Sequence, residues 1–353
     1  MGKKIRIKDI AKLAQVSVGT VDRVIHNRGE VASESYQKVM DILQKTGYQP
    51  NLLARTLGSN KEFKIAALMP NPLQDEYWAQ SNEGLKQAQV EWAEYGVHIK
   101  TFPFDLYGKE TFVAAAKELL STTPDAVLTA PIFYQEATSF FEQCEKLKIP
   151  FVVVNNNIEN QALLSFVGQD LYQSGQLGAE LIHLNNPEPG TYAILHVYDD
   201  VHNSIHLSEK EKGFKAYFES QGNNFKVVSL DLNYTHETTL ENELTDLLSN
   251  ATLKGILVTT SKGASIVSKL IEQKGKNGVR LVAYDLLQEN LHYLKSGIID
   301  FLINQNSKRQ AFIGIGQLVN HLLFKKNVAA QYLFPLEIIS RKNLKSYLNS
   351  DYH

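Results

Sequence analysis

Cysteine is nearly absent from this 353-residue chain. Cys144 stands alone, which rules out an internal disulfide and suits a reducing cytoplasm. No apolar run approaches the roughly 18 residues that a membrane span needs. The N-terminal stretch MGKKIRIKDI is basic but has no apolar h-region or cleavage site, so a cytoplasmic protein is expected, not a secreted one. The motifs of common catalytic chemistry are missing too. No G-x-G-x-x-G follows a strand pattern, no Walker loop occurs, and G-x-S-x-G is not found. His202 and His206 in HNSIH are four apart and would reach one metal from a helix, but no partnered carboxylate follows, and they read as a polar loop. Cys144, on a helical face in FFEQCEKL, reads as a buried thiol, and Asp199-Asp200 as a solvated loop pair. No catalytic constellation, metal site or cofactor is expected.

At 43% hydrophobic and 21% charged residues, the composition is that of an ordinary globular protein, and the length calls for two or three folded units. The net charge of −2 hides an asymmetry. Residues 1–62 hold eleven Lys and Arg against six Asp and Glu, whereas the remainder holds 25 against 32. A basic head on an acidic body predicts a polyanionic partner for the head alone.

Within the head, the spacing predicts a short helix over Lys8–Ala14 with Ile10, Ala11 and Ala14 on one face. Gln15, Val16 and Ser17 make a tight turn, with Ser17 the N-cap of a second helix from Val18 to about Ile25 that turns Val21, Val24 and Ile25 inward. A third helix follows Ser33, runs through Tyr36, Val39, Met40, Ile42 and Leu43, and ends at Gly47. Three short helices around a small core, the first two joined by a tight turn, have helix-turn-helix architecture. The second helix exposes Thr20 and Arg23 beside its Ser17 cap, donors suited to phosphates and a guanine edge. In YQPNLLARTLGS, residues 48–59, Pro50 and the capping Asn51 start another short helix with Leu52, Leu53, Ala54 and Leu57, too short to stand alone.

The run IKDIAKLAQVSVGTVDRVIHNRG, followed by GYQPNLLARTL, resembles the DNA-binding headpiece and hinge helix of lactose-repressor (LacI-type) regulators. The resemblance implies a dimer on a pseudo-palindromic operator in double-stranded DNA, with the second helix in the major groove and paired hinge helices in the minor groove. The DNA-binding set it implies here is Ser17, Val18, Gly19, Thr20, Arg23, Asn27, Asn51 and Leu57, the last as a wedge that kinks the duplex. This chain departs from the family at Val18 and Gly19, where larger polar or aromatic residues are usual, and at Asp22 in place of serine. Val18 suits a thymine methyl, Asp22 a cytosine amine or the orientation of Arg23, and Gly19 offers no side chain for readout.

From Phe63 onward the pattern alternates strand and helix. FKIAALM, VHIKTFPF, DAVLTAPI and PFVVVNN form one series of strands, and TYAILHV, FKVVSLDL, KGILVTT and VRLVAYD a second. The expectation is a headpiece at 1–62 and, at 63–353, two doubly wound parallel-sheet lobes. The order of elements resembles the periplasmic-binding-protein type I fold that serves LacI-type regulators as effector domain. Polar residues gather where the strands end, the edge at which open parallel sheets bind ligands.

By that resemblance the effector-binding residues are Asp75, Tyr77, Trp78, Asn155, Asn156, Thr260, Asp285 and Gln305, and the family's arginine falls at Ser208 or Lys210. The chemistry agrees. Tyr77 and Trp78 offer flat faces for a sugar's C–H surface, the carboxylates accept paired hydroxyls, and the amides both donate and accept. Two carboxylates, three amides and no assured cation point to a neutral sugar, though a loop with His196, His202, His206 and Lys210 can bring positive charge inward for an acidic one. A purine effector and a transporter's solute-binding protein are the alternatives. The tail RKNLKSYLNSDYH lacks heptads, so a homodimer is the default.

Overall fold

The computed structural model describes residues 5–26, 29–46, 62–158, 162–184, 188–197, 205–222, 224–233, 237–275 and 278–348. By its contacts the chain divides into two compact units, Met1–Lys61 and Glu62–His353.

In the first unit, helices α1 (Ile7–Ala14), α2 (Val18–His26) and α3 (Ser33–Thr46) enclose a core of Ile10, Ala11, Ala14, Val21, Val24 and Val39. The Asp9 carboxylate accepts the Arg6 N–H and so starts α1. Gln15, in the left-handed conformation, ends it. The Ser17 hydroxyl then accepts the Thr20 N–H at 3.0 Å, the N-cap of α2. On α3 only Val39 is fully buried. Tyr36 and Met40 face solvent, because so small a core accommodates one stripe of that helix.

The second unit holds two six-stranded sheets. The first joins β1 (Phe63–Pro70), β2 (Val97–Phe104), β3 (Ala126–Thr129), β4 (Phe151–Val154), β5 (Ser165–Gly168) and β11 (Gln331–Leu333) in the order β11-β5-β4-β3-β1-β2, all parallel. The second joins β6 (Gly190–Val197), β7 (Phe225–Leu232), β8 (Leu253–Val258), β9 (Arg280–Tyr284), β10 (Phe301–Asn304) and β12 (Glu337–Ile339) in the order β12-β10-β9-β8-β6-β7, with β12 alone antiparallel. Helices cover both faces, so the strands bury runs of residues and do not alternate; in β1 every residue but Lys64 is buried. In each sheet the winding direction reverses beside the founding strand, between β1 and β3 and again between β6 and β8.

Of the interspersed helices, α4 (Glu76–Ala93), α8 (Ile205–Ser220) and α10 (Ser261–Lys274) line the cleft described below; α5 (Lys109–Ser121), α6 (Tyr134–Lys146), α7 (Leu171–His183) and α9 (Glu237–Leu248) lie between them in sequence. Then come α11 (Gln288–Ser296), α12 (Ser307–Leu322) and α13 (Leu344–Leu348). The chain passes between lobes three times, from β5 to α7, from β10 to α12, and from β11 to β12. Helix α12 therefore packs on the first sheet although it follows the last parallel strand of the second. Its Ala311, Ile315, Leu318 and Val319 belong to the first lobe's core.

Neither α7 nor α12 stands out in the sequence, because each carries two glycines that read as breakers. Both are close-approach devices. A Cβ on Gly175 of α7 would lie 1.9 Å from the Lys210 carbonyl oxygen of α8, and one on Gly314 would lie 2.6 Å from the Leu128 side chain of β3.

Candidate functional site

The strand ends of both sheets open into one cleft. The first lobe contributes Asp75, Tyr77 and Trp78 after β1, Leu106 and Tyr107 after β2, Ile132 after β3 and Asn155 after β4. The second contributes Val197, His206, Lys210, the run Thr259–Gly263, Ile266 and, from the second crossing, Gln305. The cleft thus sits at both topological switch points, where diverging helices leave a crevice.

Asp75 caps α4, its Oδ1 accepting the Tyr77 N–H at 2.8 Å. Burial raises its carboxyl above the usual range, against the pull of the Tyr77 N–H and the Lys262 charge. Tyr77 and Trp78 are both buried and meet edge to face, 4.9 Å between centroids. They belong to the first lobe's core and line the cleft as well. The Tyr77 hydroxyl donates to Asn155 Oδ1 at 3.1 Å. Asn155 is left-handed (φ +69°), a conformation asparagine tolerates, and its N–H donates to Gln310 Oε1 at 3.0 Å. Thr260, the residue before α10, donates its hydroxyl to the Val197 carbonyl at 3.0 Å.

Two of the residues expected at the ligand stand behind the wall. Asp285 is 1% exposed and is not a lining residue. Its carboxylate accepts from the Ser261 hydroxyl, from the Gln305 N–H at 3.0 Å and from Gln305 Nε2 at 2.7 Å, and so orients two residues that do line the cleft. Burial raises its carboxyl, opposed by those hydrogen bonds and by the Lys210 charge. Asn156 is also buried and off the lining, with Nδ2 3.4 Å from His206 Nδ1.

The expectation of a site without an assured cation is corrected. Lys210 lines the cleft at 1% exposure, donates to the Thr259 carbonyl at 3.1 Å and lies 3.6 Å above the Tyr284 ring. Burial pushes its ammonium down to about 8, and Asp285 holds it up. The signal was present in the sequence: Lys210 falls on the stripe Leu207, Lys210, Phe214, Phe218, which α8 turns inward. Within SEKEKGF it reads instead as one of many solvated charges. Exposed Lys262 also lines the cleft. His206 is pushed down to about 3, by burial first and then by Lys210 and His196, so it stays neutral. His196 is buried against Thr259 and Glu211. His202 lies outside the described residues.

In the first unit, Val18 (45% exposed), Gly19 and Arg23 are exposed on α2, with Thr20 half-buried beside them. The Ser17 and Thr20 hydroxyls pair at 2.8 Å. Asn27, Asn51, Leu57 and the short helix expected around the last two lie outside the described residues.

Residues 65–326 match the family described as periplasmic binding protein domain, and residues 6–51 match the bacterial regulatory proteins of the lacI family. The ribose operon repressor of Halalkalibacterium halodurans is 23% identical over 356 residues, covering 98% of each chain. The sucrose operon repressor of Streptococcus mutans is 22% identical, covering 96% of this chain and 99% of its own. Among solved structures, a protein from Bacteroides fragilis described as a LacI transcriptional regulator aligns with a TM-score of 0.76 at 27% identity, over 81% of this chain and all of that one. A solute-binding protein of Burkholderia graminis in complex with D-arabinose aligns at 0.72 and 19% identity, over 82% of this chain and 99% of its own, and shares the fold.

Proposed function

The chain belongs to the lacI family of bacterial regulatory proteins, with a periplasmic binding protein domain as its larger part, and from that premise we propose a repressor whose affinity for operator DNA follows occupancy of the cleft by a neutral sugar. The basic first unit, with Arg23 exposed on α2, is the DNA-reading part. Two chains grip a two-fold operator, with Asn27, Asn51 and Leu57 extending the contact. The cleft is a binding site and no catalytic role is assigned to it.

The observation that carries the sugar reading is the pairing of charge. Lys210 and Lys262 line the cleft; of the two carboxylates near them, Asp75 lines it as well and Asp285 stands buried behind its wall. Two positive and two negative groups leave the site neutral, and an anionic ligand would add a buried charge without a counterion. Tyr77 and Trp78 supply apolar faces, while Asp75, Asn155 and Gln305 supply polar atoms. The ribose and sucrose operon repressors point to the same class of effector. Ligand and DNA then act on one equilibrium between lobe arrangements, each favouring the arrangement it binds better.

Titrating neutral pentoses and hexoses beside their uronate and phosphate forms, with the melting temperature as readout, tests the proposal. A neutral sugar that raises Tm supports it. A response to anionic forms only, abolished in Lys210→Ala, overturns the neutral reading and leaves the regulator intact.

A further inference from the structure

Between Asp75 and Tyr77, both on the cleft, lies a residue that is not on its lining. Glu76 is the first residue of α4, is exposed, and reaches across to the other lobe. Its two carboxylate oxygens accept the backbone N–H of Gln288 at 3.1 and 3.2 Å. Gln288 is the first residue of α11, and the residue before it, Leu287, makes no side-chain cap. Glu76 therefore caps a helix of the opposite lobe, supplying an acceptor and a negative charge at the positive end of its dipole. Leu287, joined in sequence to the second lobe between β9 and α11, is buried in the hydrophobic cluster of the first.

We propose that Glu76 is a positioning residue for effector binding. With Leu287 it forms a latch that holds the lobes together before any effector arrives and makes no contact with the effector itself. Opening the cleft withdraws the cap from Gln288 and the Leu287 side chain from its pocket together, so both contacts weight the closed arrangement. The apparent affinity for an effector scales with the population of the binding-competent arrangement. Losing the cap thus weakens binding of every effector by one common factor, about three- to tenfold on the scale of helix-cap substitutions. Residues that touch the ligand would change its specificity instead.

The test needs no ligand, so it succeeds or fails independently of the sugar assignment. In the full chain, Val113→Cys on the first lobe and Lys269→Cys on the second place spin labels at two exposed sites, with Cys144 buried from the reagent. The interlobe distance distribution is then measured by pulsed electron resonance for Glu76, Glu76→Gln and Glu76→Ala. The expected result is a shift toward longer distances in Glu76→Ala and a smaller one in Glu76→Gln, which keeps an acceptor and loses the charge. Faster hydrogen exchange at the Gln288 amide should accompany it. An unchanged distribution overturns the proposal, whatever happens to Tm, because a local effect on α11 would lower stability without moving the lobes.

Discussion

The side-chain amide of Gln169 donates to the Asn304 carbonyl at 2.9 Å, tying the first crossing between lobes to the second. Its other N–H reaches the Pro335 carbonyl of the third, also at 2.9 Å. One primary amide, with two hydrogens on one nitrogen, thus fixes three strands of chain that lie far apart in sequence. The site is buried, and the neighbouring Asn304 amide is held in turn by Glu337 and Tyr347.

Gln169→Leu keeps the volume and removes both donors, from the Asn304 carbonyl in a buried place and from the Pro335 carbonyl of an exposed residue. The expected cost is about 1–3 kcal/mol of unfolding free energy. Urea denaturation followed by tryptophan fluorescence measures it, since both tryptophans lie in the second unit. A change below about 0.5 kcal/mol would mean that water replaces both bonds.

The depressed Lys210 sets a pH dependence whose sign can be worked out. Its folded value is about 8 against an ordinary 10.5, so between those pH values the unfolded chain binds more protons and this group makes stability rise with pH. Below about 8 the burial penalty is present in full. Relative to Lys210→Met, which carries no such penalty, the wild type should gain up to about 3 kcal/mol between pH 8 and 10.5. Paired denaturation curves across that window give the difference, and a flat difference would mean that Asp285 offsets the burial completely.

Gly175→Ala forces a methyl group against the Lys210 carbonyl, where a Cβ would stand 1.9 Å away. Helix α8 must move, at a cost of about 1–3 kcal/mol in overpacking. Because that helix carries Lys210 and His206, effector binding should weaken alongside Tm. Gly316→Ala, with open space around its Cβ position, is the control: it should leave effector binding unchanged and raise Tm slightly, alanine being the better helix former.

Arg23→Ala should cost about 1–3 kcal/mol on the specific operator and relax the preference at one base pair, as expected of a guanidinium fork on guanine. Gel-shift titrations against operator and random duplex at the same salt concentration make the comparison. Equal losses on both would reduce Arg23 to a phosphate contact.

The strands were legible because buried parallel strands carry unbroken apolar runs, as at Ile65–Pro70 and Phe151–Val154. The head was legible through local chemistry, since Ser17 caps its own helix three residues on. What the sequence hides depends on distant partners. Gly175 reads as a breaker until Lys210 lies against it, and Lys210 reads as solvated until Asp285 and the Tyr284 ring surround it. Asp285 is legible as a strand-end carboxylate, but its distance from the ligand surface follows from Ser261 and Gln305 folding over it, which no local pattern encodes.

The return of α12 to the first sheet has a consequence for how the molecule is made. A ribosome delivers β1 to β5 long before residues 307–322, so the nascent first lobe has one sheet face without the Ala311, Ile315, Leu318 and Val319 that later cover it. The first unit, with its own core, can fold as soon as it emerges. The first lobe must wait for nearly the whole chain, with Leu128, Val152 and Val154 uncovered until Gly314 and its helix arrive. Chains stalled just short of residue 307 would therefore carry a finished headpiece on an unfinished, protease-sensitive body.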